Sequence, residues 1–123
     1  MLKELYIENL AVIEKATIDF SDRLNVFTGE TGAGKSIIID AISLLIGDRA
    51  STDLIRHHEE MAVIEGIFEI EQNKPLKAYL LEQNIPVEEQ LLVKRTIKRV
   101  GNGQIRVNGE LLSANQLKEI GQF

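Results

Sequence analysis

Eight consecutive residues carry the strongest chemical signal in the sequence. They match the pattern G-x-x-x-x-G-K-S and are Gly29, Glu30, Thr31, Gly32, Ala33, Gly34, Lys35 and Ser36. Because glycines let successive backbone N–H groups turn toward one anion, this pattern is typical of a loop that holds the phosphates of a nucleoside triphosphate. We expect Lys35 to reach the β- and γ-phosphates and the Ser36 hydroxyl to coordinate Mg²⁺.

The flanking residues supply the structural context that such a loop requires. The short apolar run of residues 24–28 predicts a central strand buried on both faces. Residues 36–46 predict a helix whose narrow polar stripe consists of Ser36, Asp40 and Ser43, so we expect this helix to be mostly buried and to end at Gly47. The positive end of its dipole would add partial charge where phosphates bind.

Period-two alternation predicts most of the remaining strands. The predicted strands cover residues 15–20, a preceding segment around Leu5 and Ile7, and residues 61–71, 91–99 and 104–107. The last two are expected to pair across residues 100–103, and Asn108-Gly109 is a further tight-turn signal.

Capping signals predict two more helices. Asn73-Lys74-Pro75 opens a short helix that closes near Asn84, and Ser113 with Gln116 has capping-box spacing for a last helix that continues to Phe123. The connections between the strands are too short for crossover helices, which disfavours an all-parallel doubly wound sheet. We therefore predict a single α/β domain over residues 1–123 with a mixed, partly antiparallel sheet.

Composition excludes several classes of protein. The absence of cysteine excludes a disulfide framework and thiolate metal sites, and the N-terminus lacks a secretory apolar core. A net charge of −5 gives no global attraction for nucleic acid. One basic cluster contains Lys94, Arg95, Lys98, Arg99 and Arg106. These side chains either converge into a basic face or, as is commoner, are solvated charges on an exposed pair of strands.

The residues that hydrolysis needs besides the phosphate loop are missing. A magnesium-binding Asp should follow four apolar residues on a separate strand, but residues 37–40 belong to the loop's own helix and residues 62–65 end in Glu. Residues 112–116 imitate an L-S-G-G-Q signature without its glycines, and the capping box accounts for them. His57 and His58 have no third ligand at metal spacing. We expect no catalytic residue in this chain.

Three segments resemble a known family. Residues 2–13, 28–36 and 45–50, the last reading L-I-G-D-R-A, are similar to the N-terminal head segment of the RecN family, the SMC-like ABC ATPases of bacterial DNA repair. The pair Glu30-Thr31 together with Gly47-Asp48-Arg49-Ala50 points to RecN rather than to other SMC-like relatives. The similarity extends over essentially the whole chain.

The resemblance implies an ATP-binding half of an ATPase head that acts in double-strand break repair and recombination. The signature and the magnesium-binding Asp would lie in the C-terminal segment of a longer chain. A coiled coil would separate that segment from this one, and the two segments would fold together into one head. The implied ligands are ATP and Mg²⁺. The implied partners are that C-terminal half, a second head in an ATP-dependent dimer, and DNA in the full-length protein. The fragment alone would be inactive, and the protein would be cytoplasmic, nucleoid-associated at full length, and away from membranes.

Other interpretations stay open at this point. Arg49 would belong to an arginine-bearing loop by the resemblance, although an Arg after a helix end can also serve carbonyl groups or solvent. Two other functions use the same loop, namely a small phosphotransferase and a non-catalytic interaction module. Phosphorylation of a small acceptor would identify the first, and failure to bind any nucleotide would identify the second.

Overall fold

The computed structural model describes residues 1–20 and 32–123, with the backbone alone for residues 32–35. Its elements follow in chain order: β1 (Leu2–Leu10), β2 (Ile13–Asp19), α1 (Gly32–Leu45), β3 (Met61–Glu69), α2 (Lys74–Glu82), β4 (Gln90–Lys98), β5 (Gln104–Val107), β6 (Glu110–Leu112) and α3 (Ala114–Ile120). A short 3-10 turn at Thr52–Leu54 lies between α1 and β3. No helix in these described ranges is long and apolar enough to cross a bilayer.

The strands of the described residues form one six-stranded sheet in the order β2-β1-β3-β4-β5-β6. Every described pairing is antiparallel, with Ile7 opposite Ala16 and Lys94 opposite Arg106. The predicted hairpins of β1 with β2 and of β4 with β5 are thereby confirmed. The prediction was a mixed sheet, and its antiparallel part is confirmed by the described strands. The predicted central strand at residues 24–28 lies outside the described residues.

One face of the sheet, here called the inner face, carries the core. Alternate residues of the strands point into it and are almost fully buried, among them Leu5, Ile7, Ile64, Val93 and Val107. Each such side chain contributes roughly 1.5–3 kcal/mol to folding by leaving water. The helix α1 lies directly on this face because Gly66 has no side chain, and a Cβ there would come within 2.5 Å of Leu45 Cδ1.

The three predicted helix termini are confirmed by their capping contacts. Gly47, at φ +107°, ends α1 in a Schellman motif, in which Asp48 N–H donates to the Ser43 carbonyl at 3.1 Å. The Asn73 side chain accepts from Leu76 N–H at 3.1 Å before α2. Ser113 forms a complete capping box before α3.

Three expectations were wrong in detail. The helix α1 is buried along one side only, since Ile39 is 56% exposed and Ile46 42% exposed. The helix α3 ends at Ile120 rather than running to Phe123, because Gly121 caps it and continues into a turn. Arg95 is not a solvated charge, since it is only 6% exposed and belongs to the inner face.

Candidate nucleotide-binding site

The phosphate-loop sequence falls at the boundary of the described residues. Gly29, Glu30 and Thr31 lie outside them, whereas α1 begins at Gly32 and continues through Ser36. The second half of the motif therefore forms the first turn of a helix. The N–H groups of a first helical turn have no intrahelical acceptors, and they point toward the positive end of the dipole. This backbone arrangement is the one that binds phosphate.

The described side chains near this helix start leave it open to an anion. The first turn of α1 contains no acidic residue, and Ser36 is exposed. Asp40 is also exposed and follows Ser36 by four residues, so both point to the same side of α1. A hydroxyl oxygen is the ligand type that Mg²⁺ prefers, and Ser36, the predicted Mg²⁺ ligand, is accessible from solvent.

Both segments that imitate a magnesium-binding strand lie where the sequence analysis placed them. Asp40 is inside α1 and cannot be the end of a separate strand. Glu65 is in the middle of β3, directly opposite Lys94 of β4. Its neighbours Ile64 and Gly66 are buried on the inner face, so Glu65 points to the other face, away from α1.

Arg49 lies beyond the far end of the helix that begins at the phosphate loop. Since α1 has 14 residues, its two ends are roughly 20 Å apart at 1.5 Å per residue. Arg49 follows the C-terminal end and is exposed. Arg49 therefore lies at the opposite end of α1 from Gly32, where the described part of the motif begins.

A charged residue that the sequence analysis placed elsewhere fixes that far end of α1. Arg95 Nη1 donates to the carbonyl oxygens of Leu44 at 2.7 Å and of Asp48 at 2.5 Å. The pKa of Arg95 is lowered because burial disfavours its charged form, and the nearby Asp48 carboxylate offsets part of this shift. A cation at the negative end of a helix dipole is favourable, so Arg95 joins β4 to the end of α1. The sequence signal that could have shown this is the period-two spacing, because Arg95 lies two residues from both Val93 and Ile97 and so shares their apolar face of the strand.

The two remaining imitations of functional motifs have structural explanations. Ser113 Oγ accepts from Gln116 N–H at 3.2 Å, and Ser113 N–H donates to Gln116 Oε1 at 2.9 Å. These contacts confirm that residues 112–116 cap a helix. The rings of His57 and His58 lie 4.0 Å apart, but the residues that the structure describes contain no cluster of three or more possible metal ligands.

Comparison with known proteins identifies the family. A family model described as an AAA domain matches residues 4–122, nearly the whole chain. The chain belongs to the AAA domain family. It is 48% identical to the DNA repair protein RecN of Bacillus subtilis, over 100% of this chain and 22% of that protein. It is 37% identical to RecN of Haemophilus influenzae, over 100% of this chain and 23% of that protein. The predicted resemblance to RecN is confirmed, and the chain spans less than a quarter of these relatives' length.

Solved structures that are similar to this chain establish its fold class. An SMC ATPase, studied for ATP-driven dimerization and DNA-stimulated activation, matches with a TM-score of 0.72 at 20% identity, over 97% of this chain and 76% of that one. ATP-bound RecF matches with a TM-score of 0.67 at 21% identity, over 94% of this chain and 29% of that one. The α/β head fold predicted from sequence is confirmed. Neither a small phosphotransferase nor a non-catalytic module receives support from these relatives.

Proposed function

We propose that this chain is the ATP-binding lobe of a RecN-type ATPase head that acts in DNA double-strand break repair and recombination. The observation that carries the proposal is a complete G-x-x-x-x-G-K-S sequence whose second half opens α1 at Gly32. Whole-chain similarity to RecN supports the biological role. The structural relatives include ATP-bound RecF, which supports ATP as the nucleotide.

The roles within the loop follow from the chemistry of its residues. The backbone N–H groups of residues 29–36 bind the phosphates of ATP, and Lys35 places a positive charge at the β- and γ-phosphates. The Ser36 hydroxyl is a ligand for Mg²⁺, which neutralises phosphate charge when it is bound. This chain's contribution is thus to bind and orient the nucleotide.

The proposal assigns hydrolysis to a site shared with a C-terminal segment of the parent protein. Its first support is the absence from the sequence of a strand-end Asp for Mg²⁺ and of a group that orients water. Its second support is the exposed side of α1, where Ile39 and Ile46 keep 56% and 42% of their surface in water. Apolar side chains on a helix that carries a binding loop are expected to be covered in the complete head.

Assembly and location belong to the same proposal. By analogy with the SMC ATPase that dimerizes with ATP and is stimulated by DNA, two heads would associate with ATP between them, and the full-length protein would act on DNA. Arg49, which lies at the opposite end of α1 from Gly32, would contribute to that assembly rather than to nucleotide binding within one chain. The protein would act in the cytoplasm, on the nucleoid.

Reconstitution of hydrolysis tests the proposal. The chain alone should show no steady-state ATP hydrolysis, and adding the C-terminal segment of the parent protein should restore it. Lys35→Ala should abolish the restored activity because both segments share one site, whereas Arg49→Ala should leave the ATP affinity of the isolated chain unchanged. Turnover by the chain alone that Lys35→Ala abolishes would show that a catalytic group lies within these residues and would overturn the shared site.

The metal assignment has its own test. Ser36→Ala should mainly reduce the Mg²⁺ dependence of ATP affinity, since it removes the metal contact and leaves the backbone donors in place. If removing Mg²⁺ changes the affinity of the variant as much as that of the wild type, Ser36 is not a metal ligand.

A further inference from the structure

The face of the sheet opposite the inner face, here called the outer face, has no helix of the described residues packed on it. The helix α1 contacts the inner face through Leu45 at Gly66 and through Arg95. The helices α2 and α3 reach the same side, where Leu76 and Ile120 line a small cavity with Val93. No described helix therefore separates the outer face from a partner.

Charge on the outer face is divided between its two halves. On β1 and β3 the outer-face charges in regular register are acidic: Glu4, Glu8, Glu65 and Glu69. Lys3, the extra residue of a bulge between Leu2 and Glu4, adds one exposed cation at the start of β1. On β4 and β5 they are basic: Lys94, Lys98 and Arg106. The edge strand β2 adds one charge of each sign, Lys15 and Asp19. The boundary between the acidic half and the basic half runs between the neighbouring strands β3 and β4.

The basic half places like charges next to each other. Lys94 lies directly opposite Arg106 in the strand register, and like charges in this position destabilise a sheet. Arg106 Nη1 donates to the Gly109 carbonyl at 3.0 Å, a backbone partner that does not neutralise it. Glu65, opposite Lys94 on the other side, compensates one of the two cations. A partner that brings carboxylates to this half would relieve the remaining repulsion.

Apolar side chains occupy the boundary between the halves. Met61 of β3 is 42% exposed and Leu92 of β4 is 38% exposed, with the half-buried Val63 and Ile67 beside them. They form two apolar patches on the boundary, Met61 with Val63 at one end and Ile67 with Leu92 at the other, separated by the opposite pair Glu65 and Lys94. Interfaces combine apolar and polar side chains, and this boundary carries both kinds.

We propose that the outer face binds the outer face of a second copy of this chain. A two-fold axis that runs parallel to the strands along the boundary between β3 and β4 would place the acidic half of each copy on the basic half of the other, and such a surface is complementary to itself. Two sheets can pack face to face with their strands nearly aligned. A different protein would need a basic region facing the acidic half and an acidic region facing the basic half. A second copy provides both, because the two-fold axis exchanges the two halves.

The size of the face sets the expected strength of the dimer. The strands β1, β3 and β4 have 9 residues each and are about 30 Å long, and β5 has 4 residues and is about 13 Å long. At a strand spacing of about 4.8 Å they offer roughly 500 Å² per copy, or about 1,000 Å² in total. This lies at the low end of protein interfaces, where complexes are transient. We therefore expect a weak dimer whose association is mainly electrostatic and depends strongly on salt. The contact is independent of nucleotide and of the proposed ATPase site.

Sedimentation of the chain at high protein concentration tests the contact. At about 0.01 M salt, where charges act over about 30 Å, the chain should be partly dimeric, and at about 1 M salt it should be monomeric. Two double variants reverse the charge of one half each, namely Lys94→Glu/Arg106→Glu and Glu8→Lys/Glu65→Lys. Each should be monomeric at low salt, because the two halves that meet in the dimer then carry charge of the same sign. A mixture of the two variants should associate more strongly than the wild type.

The control variant is Lys74→Glu/Lys77→Glu, which changes the net charge by the same amount on α2, away from the outer face. It should dimerise like the wild type. A wild-type chain that is monomeric at every salt concentration would overturn the proposal even if a charge variant failed to fold. A monomer that binds duplex DNA through Lys94 and Arg106 would also overturn it and would assign the basic half to nucleic acid.

Discussion

Replacing Arg95 with Met should destabilise the fold more than any other single change of a charged residue in β4. The Met side chain has a similar length and fills most of the same space, so the main loss is the pair of hydrogen bonds from Nη1 to the Leu44 and Asp48 carbonyls. Hydrogen bonds to a charged group contribute roughly 1.5–3 kcal/mol each. Relief of the cation's desolvation, which lowers its pKa in the fold, offsets part of this.

The expected net loss for Arg95→Met is about 2–3 kcal/mol. A domain of this size has a total stability of about 5–15 kcal/mol, and the loss should lower the melting temperature by roughly 8–12 °C. Circular dichroism during thermal and urea unfolding measures both quantities. The matched control is Arg106→Met, which removes an exposed guanidinium with one backbone partner and should change stability by less than about 0.5 kcal/mol. Equal stability of the two variants would show that Arg95 does not hold the end of α1.

Three further changes have defined outcomes. Gly47→Ala should cost more than about 2 kcal/mol in unfolding free energy, because φ is +107° and a Cβ would lie 2.5 Å from Lys118 Cα; a melting temperature like that of the wild type would contradict this. Ser113→Ala should cost about 1 kcal/mol in urea unfolding by removing the cap of α3, and no loss would mean that the capping box adds nothing. The hydrogen bond to Glu119 raises the pKa of Tyr79 to about 12, so the stability it contributes is complete below about pH 10 and lost between about pH 10 and 12. In a variant lacking the other tyrosine, Glu119→Gln should bring the absorbance titration of Tyr79 back toward pH 10, and an unchanged titration would exclude that partner.

Much of the fold was predictable because local signals agree with the global arrangement. The alternation of Ala16 and Ile18 with polar residues places β2 against β1, and the capping residues Asn73 and Ser113 stand where α2 and α3 begin. Such signals depend on contacts within a few residues of one another, so they can be read directly from sequence. Gly47 is likewise both the sequence signal and the structural end of α1.

The features that could not be predicted depend on distant contacts. A buried Arg is rare, and Arg95 is buried because it meets the end of a helix about 50 residues earlier in the chain. Asn9 and Ala11 adopt φ of +54° and +52°, and Ala gives no sequence signal for that conformation. The exposure of Ile39 was also missed, since apolar periodicity indicates that a side chain seeks a partner without saying where the partner comes from.

The central claim is that residues 29–36 bind a nucleotide, and the affinity of Lys35→Ala for ATP tests it most directly. Calorimetric titration with ATP and Mg²⁺ should show weak binding by the wild-type chain. The variant should lose about 1.5–3 kcal/mol, which corresponds to a roughly 10- to 150-fold weaker affinity, because a charge-assisted contact to phosphate is removed. The control Lys77→Ala, which removes a cation from α2, should bind like the wild type. Equal affinity of Lys35→Ala and the wild type would contradict the nucleotide-binding site.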